Sequence, residues 1–323
     1  MDKLSAGNLE QGLKHIDPWA RLQSVDEAPV GVLKFGIGAE LYRDAEGLWL
    51  MPYSGGPLFR AGFEDRVKLH AINGNRVAGM SSAEVTAVLT GVDGVSLEID
   101  LCTDGCQSTE HVSLLPEYYS QNSVEEVYVS GQRQLRLRHF ASRETRAFLQ
   151  TLLLAEDTSR ALILDLRDCQ GGDLFEAMDS AAMFLHPGKS LTSTYSRKGL
   201  EQRYFSPPGR KFSNPLTLLI SGNTASAGEI FAGILQAHGR AQLVGVNSRG
   251  KCVSQAIRTL SNGSLLHYTN LEIVLPDESH CQGSGLQPDL VLSNDEVKSS
   301  QLILRRLLKG VGAKLPSPML DKR

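Results

Sequence analysis

The spacing of apolar positions changes several times along the chain, and each change marks a region. Leu9, Leu13 and Ile16 share one helical face ahead of Pro18, which predicts a short helical segment within residues 1–28. From about Val30 to Leu101 the text is β-rich and punctuated by glycine. GLWLMPY (47–53), LHAING (69–74) and VSLEIDL (95–101) read as strands. SSAEVTAVLTG (81–91) has a helical period, with Ser81 or Ser82 as its cap and Gly91 as its stop. These elements predict a small domain over residues 29–105, with CTDGCQSTEH as a turn or linker at its end.

Residues 106–323 alternate between the two periods. QLRLRHF (134–140), ALILDLRD (161–168), PLTLLI (215–220) and AQLVGV (241–246) read as strands. SRETRAFLQTLLLAE (142–156), DLFEAMDSAAMFL (173–185) and AGEIFAGILQAHG (227–239) read as the helices between them. That alternation predicts an α/β fold with a largely parallel sheet covered by helices. VSQAIRTL and SLLHYTNLEIVL flank Ser261-Asn262-Gly263, a hairpin turn signal, and NDEVKSSQLILRRLLKG predicts one closing amphipathic helix.

Composition removes several function classes. At 323 residues, 41% apolar and 21% charged, the chain has material for a sizeable core and more than one domain. A net charge of −3 without a long basic run gives no footprint for nucleic acid. No run approaches the ~20 apolar residues of a membrane helix. No apolar leader follows Lys3, so the chain as written reads as cytoplasmic, or as periplasmic or otherwise extracytoplasmic if a leader has been removed. Five cysteines, an odd count in a long chain, argue against a disulfide framework. Cys102 and Cys106 make only half a metal knuckle, so neither metal nor cofactor is expected.

The candidate chemistry lies in three segments. In GNTASAGEIFAG, Ser226 and Glu229 have the spacing of a capping box, and Ser226 also stands where a helix-end nucleophile would. His238 lies twelve residues on, ~18 Å along the same helix, too far to act as its base. Lys251, in NSRGKCVSQ, is a candidate base, and strand alternation puts Lys251, Val253 and Gln255 on one face. Gln255 could then orient the amine. Gly171 and Gly172, between a buried strand and a helix, permit a turn that exposes backbone N–H groups to an oxyanion.

DLRDCQGG, TASAGEI and GKCVSQ, in this order, resemble the signatures of the carboxy-terminal processing peptidases, family S41. QGSGLQPD (282–289) is similar to that family's closing motif, and LEQGLKHIDPWARL to its amino-terminal segment. The resemblance implies Ser226 as nucleophile, Lys251 as general base and Gln255 as its orienting partner. It implies the N–H groups of Gly171 or Gly172 and of Ala227 as the oxyanion hole. KFGIGAEL resembles the carboxylate-binding loop of a PDZ domain, which assigns Gly36, Ile37, Gly38 and Ala39 to a peptide tail.

The expected architecture is therefore a PDZ domain joined to a crotonase- and ClpP-like α/β protease core. Its expected partner is a protein or peptide substrate with an accessible C-terminal tail, and an oligomer is possible. Two departures concern the PDZ region: Ala61–Val67 lacks the family's Pro-Gly-Asp turn, and Thr90 replaces an expected arginine. Cys169, Cys252 and Cys281 each adjoin a catalytic motif, as inert thiols or as a redox-sensitive set. The alternative reading is a non-proteolytic PDZ adaptor of the same fold. Acyl-CoA chemistry follows from fold analogy alone.

Overall fold

The computed structural model describes residues 12–23, 33–44, 46–103, 108–120, 122–154, 160–261 and 264–310. The chain divides into two compact units. One comprises residues 1–29, 123–297 and 303–323, the other residues 30–122 and 298–302.

The chain begins, as described, with helix α1 (residues 12–16) and strand β1 (Arg21–Gln23) of the first unit. The second unit contains β2 (Leu33–Gly36), β3 (Ala39–Asp44), β4 (Gly47–Pro52), α2 (Pro57–Arg60), β5 (Val67–Ile72) and β6 (Asn75–Arg76). It continues with α3 (Ser82–Thr90), β7 (Leu97–Thr103), β8 (Ser108–Leu114) and β9 (Glu117–Ser120). Its main sheet runs β3-β4-β5-β7-β8 around a core that includes Leu50, Leu58, Val85, Ile99 and Leu101. α3 starts as its sequence predicts: Ser81 Oγ accepts from the Glu84 N–H, and Glu84 Oε2 accepts from the Ser81 N–H at 2.7 Å.

The expected boundary at residue 105 cuts a hairpin, because β8 pairs with β7 from Leu97↔Leu114 to Thr103↔Ser108. β8 is exposed along most of its length, so it carries no buried-face alternation for the sequence to reveal.

The first unit resumes with β10 (Val124–Val129), β11 (Gln132–Leu137), α4 (Thr145–Leu154), β12 (Leu162–Asp165) and α5 (Leu174–Ala182). Then come β13 (Ser190–Ser196), β14 (Gly199–Phe205), β15 (Leu216–Ile220), α6 (Ala227–Ala237) and β16 (Gln242–Gly245). β17 (Val253–Thr259), β18 (Leu265–Val274) and β19 (Leu290–Val291) follow, then α7 (Asn294–Lys298) and α8 (Ser300–Gly310) in place of one predicted helix, with residues 298–302 at their junction counted in the second unit.

The central sheet has the order β10-β11-β12-β15-β16-β19, parallel throughout except for the β10–β11 hairpin. Continuous apolar runs such as Leu162-Ile163-Leu164 suit strands covered on both faces. One face packs against Phe231, Ile234, Ala177 and Leu149 of the helices, and the other against Val297, Ile303 and Leu307. A second sheet holds β1, β18, β13 and β14, with β17 paired to β18.

One consequence of parallel pairing positions the chemistry. β12, β15 and β16 are neighbours pointing the same way, so the loops after Asp165, Ile220 and Gly245 emerge at one end of the sheet. Those loops carry Gly171-Gly172, Ser226 and Lys251.

Candidate active site

The loop after β12 is set by a buried ion pair. Asp165 accepts from Arg167 Nε (2.9 Å) and Nη2 (2.7 Å), with Arg136 Nε at 3.6 Å. Burial raises the Asp165 pKa, but the Arg167 and Arg136 guanidiniums outweigh it and hold the carboxyl far below the usual carboxylate range.

This loop is laced to the next one. Thr224 Oγ1 donates to the Leu166 carbonyl (2.7 Å), and the Ala225 N–H donates to the Cys169 carbonyl (2.9 Å). Gly171 and Gly172 have φ of 114° and 130°, which favours glycine. A Cβ on Gly171 would stand 2.6 Å from the Ser226 Cβ and 3.0 Å from the Ala227 nitrogen. The glycine turn therefore lies directly against Ser226. Among the described residues the N–H groups of Gly171, Gly172 and Ala227 have no acceptor, while the Gly171 carbonyl takes the Phe140 N–H.

Ser226 precedes α6 with φ 55° and ψ −123°, a conformation that costs a non-glycine residue about 1–3 kcal/mol. It is partly exposed between buried neighbours. Ser226 and Glu229 face each other as a capping box. Its carboxylate end is closed, Glu229 Oε2 accepting from the Ser226 N–H at 3.0 Å.

Glu229 does more than cap. It is fully buried, and Oε2 also accepts from the Lys251 N–H (2.8 Å). Oε1 accepts from the Gly250 N–H (2.7 Å) and from Ser248 Oγ (2.5 Å). One carboxylate thereby ties the Ser226 turn to the Lys251 loop. Sequence reasoning assigned Glu229 only to the helix end, because its other partners lie 19–22 residues away.

The Lys251 loop is clamped from its other side by residues 281–286. The Gly283 N–H donates to the Gly250 carbonyl (2.8 Å), the Cys252 N–H to Gln282 Oε1 (2.8 Å) and the Leu286 N–H to Ser248 Oγ (2.6 Å). A Cys252–Cys281 disulfide closes the same junction, with the two Cα atoms 5.5 Å apart. This overturns the expectation against disulfides, and Cys102 is disulfide-bonded too, which removes it as a metal thiolate. Cys106 lies outside the described residues. Cys169 is a buried thiol against Gly228 of α6. Among the described residues no cluster of three His, Cys, Asp or Glu could hold a metal.

Gln255 has a different partner from the expected one. Its Nε2 donates to the Trp19 carbonyl at 2.9 Å, and Lys251 Nζ stands 5.5 Å from the Trp19 ring centroid. Gln255 and Lys251 thus each face Trp19, one at its carbonyl and one at its ring. β17 begins only at Val253, so strand alternation does not extend back to Lys251; the register slip opposite Ser254 and Gln255 puts an extra residue, Asn270, on β18. Trp19 was not assigned a role from sequence, and only tertiary folding brings it here, 236 residues from Gln255.

In the second unit, Ile37 and Gly38 turn their carbonyls inward, to the Leu58 N–H (3.0 Å) and the Tyr53 N–H (2.8 Å). Among the described residues the Ile37 and Gly38 N–H groups have no acceptor. β3, which starts at Ala39, is an edge strand, and the backbone of Thr90 at the end of α3 packs close to Gly36.

The chain is similar in sequence and in fold to known proteins. The model of peptidase family S41 matches residues 134–292, and that part of the chain is an S41 peptidase domain. A "Probable CtpA-like serine protease" of Staphylococcus aureus (strain bovine RF122 / ET3-1) is 27% identical over 313 residues, covering 94% of this chain. The chain spans 62% of that relative's length. Among solved structures, the photosystem II D1 C-terminal processing protease is similar in fold with a TM-score of 0.62 and 24% identity, over 89% of this chain and 81% of that one. Mature CPAF gives 0.52 and 12%, over 98% and 90%.

Proposed function

We propose that the protein is a serine endopeptidase of the carboxy-terminal processing type, cutting protein substrates that present an accessible tail. The observation that carries this reading is the meeting of three loops: Ser226 in a strained turn, Gly171 against its Cβ, and Glu229 binding the backbones of both Ser226 and Lys251.

In the proposed reaction neutral Lys251 takes the Ser226 proton as Oγ attacks the scissile carbonyl. A lysine serves as base only without its proton, and removal from water favours that form. N–H groups of Gly171 or Gly172 and of Ala227 hold the oxyanion, each donor being worth about 10²–10³ in rate. The Lys251 ammonium then protonates the leaving amine; in the second half water, its proton taken by Lys251, attacks the acyl carbon, and the same proton passes to the departing Ser226 Oγ as the new carboxyl product leaves.

The second unit is assigned to the tail: Ile37 and Gly38 N–H groups for the terminal carboxylate, and the β3 edge for the extended chain. Cys252–Cys281 favours an oxidising, extracytoplasmic setting over the cytoplasm.

The test uses a purified protein substrate with an apolar C-terminal tail. Wild type is expected to cut it, and Ser226→Ala and Lys251→Ala to be slower by at least ~10³-fold while still folded. Stable tail binding without fragments, even from wild type, would instead establish a non-proteolytic adaptor.

A further inference from the structure

A cavity of about 530 Å³ opens in the first unit, and the proposed reaction makes no use of it. It begins as a break in a sheet edge. On one edge of β18, β1 pairs with residues 265–267 and β13 with residues 272–274. Among the described residues, no strand pairs with Tyr268–Leu271 on that side. Asp17 spans the break, its carboxylate accepting from the Thr269 N–H (2.6 Å) and hydroxyl (2.9 Å). The register slip at Asn270 falls at the same place. The hollow that results is walled by Pro18, Trp19, Tyr195, Val253, Tyr268 and Leu271.

We propose that this cavity is a substrate side-chain pocket, taking one bulky apolar residue, aromatic or long aliphatic, of the peptide being cut. The inference rests on the peptidase reading. Its first support is position. Trp19 forms part of the wall, and its ring is the one 5.5 Å from Lys251 Nζ. Val253, two residues beyond Lys251, and Gln282, which accepts from the Cys252 N–H, are also in the lining. A side chain lodged there shares a wall with the base.

Chemistry is the second support. Aromatic and aliphatic side chains make up most of the wall, Arg197, Asn270 and Gln282 add polar groups, and both carboxylates of the lining are already engaged. Asp17 is bonded to Thr269, and Glu272 to His280 Nδ1 at 3.1 Å. The volume lies within the ~300–1,000 Å³ of typical ligand pockets, ample for one large side chain.

Rigidity is the third. The Trp19 N–H donates to Asp17 Oδ1 (3.1 Å) and its carbonyl takes the Gln255 amide, so the backbone is fixed at both ends. Its indole Nε1 is buried without an acceptor among the described residues. An unpaired buried donor is tolerated where a position is held for another reason, here the shared wall.

The test is a set of quenched peptides that differ at one position at a time around the cleaved bond, carrying Phe, Leu, Ala or Glu. At one position Phe and Leu are expected to exceed Ala in kcat/KM by about 10–100-fold, with no gain for Glu. Leu271→Trp, which fills the hollow, should reduce the Phe-to-Ala ratio below about threefold, and Leu271→Phe serves if the larger residue impairs folding. No position with a preference, or a ratio untouched by either filler, would overturn the pocket.

Binding is read separately. In Ser226→Ala/Trp49→Phe, Trp19 is the sole tryptophan of the two in the chain. A Phe peptide should shift its emission saturably, and Leu271→Phe should weaken that shift. A shift without cleavage by wild type leaves the pocket and removes the peptidase. Cleavage without preference or shift does the reverse.

Discussion

A carboxylate surrounded by four donors can hold two loops in register, and Glu229 stands in that position between Ser226 and residues 248–251. Its burial makes each bond matter, since hydrogen bonds to a charged group contribute about 1.5–3 kcal/mol. In Glu229→Gln the side chain keeps its shape, but an NH₂ group meets donors where an oxygen accepted. At least two of them lose their acceptor. The variant should be ~2–4 kcal/mol less stable in urea, and kcat should fall at least ~10-fold with KM within about threefold. A folded variant with unchanged kcat would remove the alignment role. Ser226 belongs to the same account: its strained turn is retained because neighbours on both sides fix it.

At the scale of elements, β16 and β17 frame a loop that hydrogen bonds alone could hold, and the structure adds a covalent link. Cys252 and Cys281 are 29 residues apart, so joining them restricts the unfolded chain by roughly 3–4 kcal/mol on loop entropy. The bond sits beside Lys251, so its loss should also loosen the proposed base. Cys252→Ser/Cys281→Ser is expected to melt lower by several degrees and to have a reduced kcat. A thiol reductant should lower kcat likewise in wild type but leave kcat of the double variant unchanged, since the Cys102 disulfide it retains belongs to the other unit. Equal activity with and without the bond would make it a stabiliser only. Oxidation aligns the site in this account, which reverses the sense of a redox-sensitive thiol set.

For the whole molecule, the central sheet depends on charges buried at its base. Asp165 is ionised in the fold well below the pH at which it would be in the unfolded chain, ~3.9. Its contribution to stability is thus present above about pH 4 and lost as pH falls further through that window. Acid titration followed by circular dichroism should show declining stability below about pH 4. Asp165→Asn should lose ~3–5 kcal/mol at neutral pH, because it removes a charge that the buried Arg136 and Arg167 guanidiniums face. A variant as stable as wild type at pH 7 would contradict that assignment.

The same scale explains what could be read in advance. Ser226, Gly171, Gly172 and Lys251 each lie just beyond a buried parallel strand, so local pattern located them and topology joined them. Trp19, the second set of Glu229 partners and the Cys252–Cys281 pair depend on contacts between distant segments. β14 was missed because its residues are almost all exposed, leaving no apolar period to detect. Strand alternation links Gln255 to Lys251 only if both lie in one strand, and β17 starts at Val253, after Lys251.

The most direct measurement of the central claim is mass spectrometry of the intact protein after reaction with a serine-directed fluorophosphonate. One adduct is predicted, located at Ser226 by peptide mapping, absent in Ser226→Ala and formed at least ~10-fold more slowly in Lys251→Ala. An adduct of undiminished yield in folded Ser226→Ala, or none in active wild type, would contradict the assignment of Ser226 as the nucleophile.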